Sequence, residues 1–302
     1  MHSFTILVIH LLLFVSSSAA SPFALAPRSN ERSLERRQNS PGKGRHCSDK
    51  EKNDFEVIPN TQYIVFNMMY NKQDIKVGSV CTVFKGLAGS AIKWASEWNL
   101  PPPPQNPDTV KGYSFIGLTI EGGGERQLRD ISDIPVSYSW SFTNENFKGK
   151  HFATTKGDSK TKGEAQELML WFTWKNGQVP IGFGKGKKKT LTFLDNSWDM
   201  YQGLNRDTGI VVTSLLAVRQ YSGSFSGNTK DWLLALANQA QLFPPDTTWL
   251  NVVNGGVEPF WGVVTIDAQI DMKIVSGPPK NKRKSVGGSH GGQGGMRGHG
   301  GP

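Results

Sequence analysis

The chain has 302 residues, 37% of them hydrophobic, and a formal net charge of +9. That length suits one large β domain or two smaller ones. The charge is uneven: residues 1–37 carry +2 and residues 279–302 carry +5, leaving +2 for everything between. The high isoelectric point is therefore largely a property of the two ends, and a basic domain face for nucleic acid is not implied.

The chain opens with "MHSFTILVIHLLLFVSSSAASP". An apolar run from Ile6 to Val15 leads into small residues, with a cut expected after Ala20, so residues 1–20 read as a secretory signal peptide. No later stretch approaches about 18 consecutive apolar residues, so no membrane segment is expected in a secreted, extracellular product. Residues 21–37 are polar and end on Arg36-Arg37, which resembles a dibasic processing site and predicts a pro-segment. Residues 38–278 form the expected folded domain, and residues 279–302 a basic, glycine-rich tail with nothing to bury.

Two cysteines, Cys47 and Cys81, remain in this expected extracellular chain. An oxidising compartment favours pairing them, which would pin an N-terminal strand to a later one. The six histidines do not form a ligand cluster: four lie in the signal peptide and tail, leaving His46 and His151. No metal site is expected.

Short alternating segments fill the middle: "QYIVFNMMY", "GYSFIGLTI", "SYSWSF", "ELMLWFTW", "KTLTFL", "IVVTSLLAV" and "VVTIDAQIDMKIV". The last predicts a half-buried antiparallel strand with Val264, Ile266, Ala268, Ile270 and Met272 inward. The loop "NLPPPPQNP" is no central strand. In "GNTKDWLLALANQAQLF", Trp232, Leu233, Leu236 and Ala240 recur at helical spacing; Thr229 or Ser226 would cap the start, and Pro244-Pro245 would stop it. Many strands and one helix point to an all-β sandwich or jelly roll.

Two carboxylates stand out. In "QELMLWFTW", Leu168, Leu170, Phe172 and Trp174 share one face of a strand, and Glu167, Met169, Trp171 and Thr173 the other. A charge flanked by apolar side chains must find partners, shift its pKa or do chemistry, unless it simply points to solvent at a strand end. In "NGGVEPFWG", Gly255 and Gly256 permit a tight turn, and Pro259 fixes the backbone after Glu258. Phe260 and Trp261 supply rings beside it. The plainer alternative is an ordinary turn before the last strand. Paired carboxylates near aromatic rings are what a retaining glycoside hydrolase requires, one ionised to attack and one protonated to release the leaving oxygen.

These segments resemble the glycoside hydrolase family 12 endoglucanases and xyloglucanases. "ELMLW" is similar to the family's nucleophile segment, "VPIG" to a following turn and "GGVEPFWG" to the acid/base segment. "SFSGNTKDWLLAL" resembles the lone helix, and the spacing of Cys47 and Cys81 the N-terminal disulfide. The resemblance implies a β-jelly roll of two curved antiparallel sheets with one helix and an open concave cleft. It makes Glu167 the nucleophile and Glu258 the general acid/base. Asn67, Tyr70, Met169, Trp171, Phe260 and Trp261 become substrate-binding residues, with Met169 and Trp171 as cleft floor. The expected partner is a β-1,4-glucan (xyloglucan, β-glucan or amorphous cellulose), acted on by a monomer without cofactor, nucleic acid or membrane.

The sequence departs from the family's pattern twice. "NMMYN", Asn67 to Asn71, puts Tyr70 where a Trp platform is usual. The strand before the nucleophile usually offers an Asp beside it. Here Thr154 or a neighbour takes that place, with Asp158 close by. These departures keep a second expectation open, a glucan- or protein-binding module of weak or no activity on the same scaffold.

Overall fold

The computed structural model describes residues 44–47, 54–101, 106–119, 126–143, 147–159, 164–206 and 209–277, with backbone alone for 147–159, 164 and 165. The expected signal peptide (1–20), pro-segment (21–37), tail (279–302) and the middle of the proline-rich loop (102–105) lie outside the described residues.

Alternating apolar and polar residues build most of the described chain into strands. The first half supplies β1 (Arg45–Cys47), β2 (Asp54–Val57), β3 (Tyr63–Met69), β4 (Ser79–Ala88), β5 (Ala91–Leu100) and β6 (Gly112–Leu118). After them come β7 (Arg126–Gln127), β8 (Ile131–Asp133), β9 (Pro135–Phe142), β10 (Phe147–Ser159) and β11 (Glu164–Lys175). The last group is β12 (Lys189–Phe193), β13 (Asn196–Asn205), β14 (Ile210–Ala217), β15 (Ser224–Asn228), β16 (Thr248–Met272) and β17 (Val275–Ser276). The one α-helix among the described residues, α1 (Lys230–Ala240), lies between β15 and β16.

The strands join in the order β1-β4-β5-β16-β10-β11-β14-β13-β12, and β16 also receives β6, β7 and β9 along its length. Its first half pairs with β10 and β6, its second with β5 and β9, and the turn-over comes at Gly262, whose φ is 117°. One strand thereby serves both layers of the jelly roll. All these contacts are antiparallel except β11 with β14, which run parallel because the β12–β13 hairpin returns the chain between them. The expected disulfide is present: Cys47 and Cys81 face each other across β1 and β4 and are bonded.

Two apolar clusters form on opposite faces. Between the layers, Leu168, Leu170 and Phe172 pack with Trp94, Trp98, Tyr138, Ile266, Ile270 and the helix residues Trp232, Leu233 and Leu236. On the other face, Met169 and Trp171 pack with Phe66, Met68, Tyr113, Phe115, Val212 and Phe260. The predicted alternation of the last strand holds, with Val264, Ile266, Ala268, Ile270 and Met272 all buried.

Three local expectations are corrected. Gly255 and Gly256 make no turn; both lie within β16. They are small because β6 and the returning half of β16 press on them: a Cβ on Gly256 would stand 2.3 Å from the Ser114 carbonyl oxygen, and one on Gly255 2.6 Å from Ile270. Trp174 leaves the face of Leu170 and joins Trp171, with ring centroids 6.1 Å apart. The cause is a β-bulge, where the β10 register steps from Thr173 to Trp171 and inverts the alternation beyond it. Thr229 does flank α1, but its hydroxyl donates to the Ile134 carbonyl (3.0 Å), and Asn228 Oδ1 accepts the first helical amide from Lys230 (3.2 Å). The helix ends before Pro244, as expected, on Gln241 in the left-handed region.

Candidate active site

The face of β10 determines where the two glutamates stand. β10 lies between β11 and β16 and hydrogen-bonds to both. Glu167 is paired in register with Lys156 of β10, and Glu258 with Lys150. The β10–β16 register runs evenly from Lys150 to Lys156, and the β10–β11 register evenly from Phe152 to Lys156, on the near side of the bulge, so Glu167, Met169, Asn254 and Glu258 share the face that carries the second apolar cluster. Glu167 is 5% exposed and Glu258 fully buried.

Both carboxylates act on one phenol. Tyr113 stands on β6, one residue before Ser114, the register partner of Val257. Its hydroxyl donates to Asn254 Oδ1 at 2.5 Å. Burial pushes its pKa well above the usual phenol value, and the charges of Glu258 and then Glu167 push it further. Tyr113 is thus the place at which the fields of the two glutamates meet. Neither Tyr113 nor Asn254 was singled out from the sequence. The available signal was strand parity, which puts Tyr113 and Phe115 on one side of "GYSFIG".

The other anticipated residues fall into three groups. Met169, Trp171 and Phe260 are fully buried in the cluster on this face, so they form a packed bed beneath any ligand. The partly exposed rings Tyr70 and Trp261 pack at its margin, together with Trp174 and Tyr201, which the sequence reasoning had not placed there. Asn67 faces the other way: it is fully buried and its amide donates to the Val80 carbonyl (3.1 Å) while accepting from Thr82 (3.0 Å). Thr154, the position of interest on β10, is the register partner of both Met169 and Asn254; its side chain and that of Asp158 lie outside the described residues.

A strand-rich jelly roll with two buried glutamates on one sheet face is the arrangement that the resemblance to a glycoside hydrolase leads one to expect. Comparison with known proteins narrows it: residues 61–271 match the model of glycosyl hydrolase family 12, and the chain belongs to that family. It is 27% identical over 204 residues to the xyloglucan-specific endo-β-1,4-glucanase A of Aspergillus niger, spanning 66% of this chain and 79% of that one. It is 28% identical over 206 residues to the inactive glycoside hydrolase XLP1 of Phytophthora nicotianae, spanning 67% of this chain and 81% of that one. Among solved structures, the catalytic domain of Humicola grisea Cel12A, in complex with a soaked thio cellotetraose, superposes with a TM-score of 0.65 at 23% identity. That match covers 76% of this chain and 98% of the other.

Proposed function

We propose that the chain is a secreted, retaining endo-β-1,4-glucanase, with xyloglucan as the first substrate to test. The observation that carries the proposal is the placement of Glu167 and Glu258 on one sheet face, both buried and both acting on Tyr113. Xyloglucan comes first because curated relatives are named as xyloglucan-specific.

In this reaction the ionised carboxylate of Glu167 attacks the anomeric carbon and the carboxylic acid of Glu258 gives its proton to the departing glycosidic oxygen. A glycosyl ester on Glu167 results, with the shortened chain as leaving group. Glu258, now ionised, takes a proton from water as that water attacks the same carbon, so configuration is retained and both glutamates return to their starting states. Buried surroundings favour such work, because a nearby negative charge and poor solvation both hold an acid protonated until it is needed. Tyr70, Trp174, Tyr201 and Trp261, the partly exposed rings at the margin, supply apolar faces for sugar C–H groups.

A second reading has a specific ground. XLP1 is named as inactive and is as similar to this chain as the named endoglucanases are. With Tyr70 in place of a Trp platform and Thr154 on β10, the same face would then hold a glucan without cutting it.

Release of reducing ends from xyloglucan, mixed-linkage β-glucan and carboxymethyl cellulose by the purified secreted protein separates the two. The enzyme reading expects release that is lost, by about 10³-fold or more, in Glu167→Gln and in Glu258→Gln. Oligosaccharide binding by calorimetry with no new reducing ends from the wild type would establish the second reading instead.

A further inference from the structure

Lys111 is fully buried, and its ammonium group is saturated by a set of oxygens. The three N–H groups of Nζ are shared among four acceptors: Asp74 Oδ2 (3.2 Å), the Asn106 carbonyl (2.7 Å), the Thr109 carbonyl (2.9 Å) and the Thr109 hydroxyl. Asp74, also buried, accepts in turn from Asn106 Nδ2 (2.9 Å) and the Thr109 hydroxyl (3.2 Å). A charge pair of this kind is a weak source of stability, since desolvation offsets its attraction; apolar residues of similar size would serve the fold as well. Its use is better sought in what it holds in place.

The main chain of Lys111 touches both halves of the candidate site. Its amide donates to the carbonyl of Pro259, the residue after Glu258, at 2.9 Å. Its carbonyl accepts the amide of Tyr70 at 3.0 Å. Next to it, Asn71 Nδ2 donates to the Val110 carbonyl (2.8 Å), and the Asp74 amide donates to the Asn71 carbonyl (2.9 Å). The ring closes through the salt bridge, so residue 111 cannot shift without moving the Tyr70 turn and the Pro259 peptide together.

We infer that the buried Lys111–Asp74 pair is a positioning strut that sets the acid/base carboxyl of Glu258 and the Tyr70 ring relative to each other. The inference rests on the role proposed for Glu258. Neither member of the pair is placed at the reacting atoms; both are positioning residues.

The test is the double variant Lys111→Met/Asp74→Asn, which leaves no lone charge buried, beside Lys111→Met alone. Two substrates are compared, xyloglucan and a dinitrophenyl β-cellobioside whose leaving group departs without a proton. A displaced Glu258 lowers kcat/KM on xyloglucan on the order of tenfold, with a shifted alkaline limb of the pH profile, while kcat/KM on the aryl substrate, which reports the bond-breaking step that needs no proton, changes less than about twofold. An equal loss on both substrates, or no loss on either, overturns the strut. Amide hydrogen exchange is read on the same proteins and does not depend on turnover. The Tyr70 and Lys111 amides should lose protection in the double variant, while those of Trp94 to Trp98 in β5 keep theirs. Unchanged or uniformly lowered protection overturns the strut, whereas a wild type that cuts neither substrate overturns the enzyme reading and leaves the exchange result to decide.

Discussion

At the scale of single residues, the buried tyrosines carry a consequence for pH. Burial raises the pKa of Tyr63 to about 12, more than its bonds to Asp271 and the Met272 backbone alter it, and raises Tyr113 and Tyr138 as well. In the unfolded chain each ionises near 10, so above that pH the unfolded state sheds protons that the native state retains. Stability from this source is complete below pH 10 and falls as pH rises toward 12. Urea midpoints measured at pH 8, 10 and 11 should decline over the last interval, and less steeply in Tyr63→Phe; a wild-type midpoint that stays level contradicts this. Replacing Tyr113 by Phe leaves Asn254 Oδ1 without its donor in a buried site, a cost of about 1–3 kcal/mol in a denaturation midpoint. The residues legible in the sequence were those whose chemistry clashed with their local pattern. Glu167 was visible because a carboxylate headed an apolar strand. Tyr113 was not, because a tyrosine in a strand looks ordinary until another strand places two carboxylates near it. Asn67 was matched by type and position, yet its amide is taken up by Val80 and Thr82, which no local pattern announces.

At the scale of elements, period-two alternation carried most of the information, and its failures have identifiable causes. Leu168, Leu170 and Phe172 lie in the inter-layer core as that pattern requires, and α1 buries Trp232, Leu233 and Leu236 as its spacing requires. Trp174 breaks the pattern because a bulge depends on the partner strand, which the segment itself does not encode. The glycines of "NGGVEPFWG" misled for a related reason: glycine serves a turn and a close approach of two backbones equally well, and only β6 decides between them. Gly256→Ala should therefore destabilise the protein by about 1–3 kcal/mol, through a collision with Ser114 and Phe115 that neither backbone can relieve. Equilibrium unfolding in urea measures it, and a change within the error of the midpoint would show that β6 and β16 have room to part. Asn228→Ala should release the start of α1 and the Ile134 amide together, since one Oδ1 accepts from both.

At the scale of the whole molecule, the ends and the fold answer to different physics. The basic tail and the N-terminal segments account for most of the net charge, while the middle is close to neutral and is held by burial. The Cys47–Cys81 bond closes a loop with a sequence separation of 34, for which chain entropy alone gives about 3–4 kcal/mol. Reducing it should lower the melting temperature measurably while leaving β3, β6 and β16 paired, because β1 sits at one end of the strand order. A fall in the melting temperature within error would assign the bond no role in the folded chain's stability. A broader consequence comes from β16. The strand that presents Glu258 also runs on into the opposite layer, packed between β5 and β9. The candidate site and its frame thus share one continuous strand. Heat should then offer no intermediate in which the site is dismantled and the shell survives, or the reverse. Loss of turnover and loss of the tryptophan signal should follow one curve, and selection acting on either property would be acting on both.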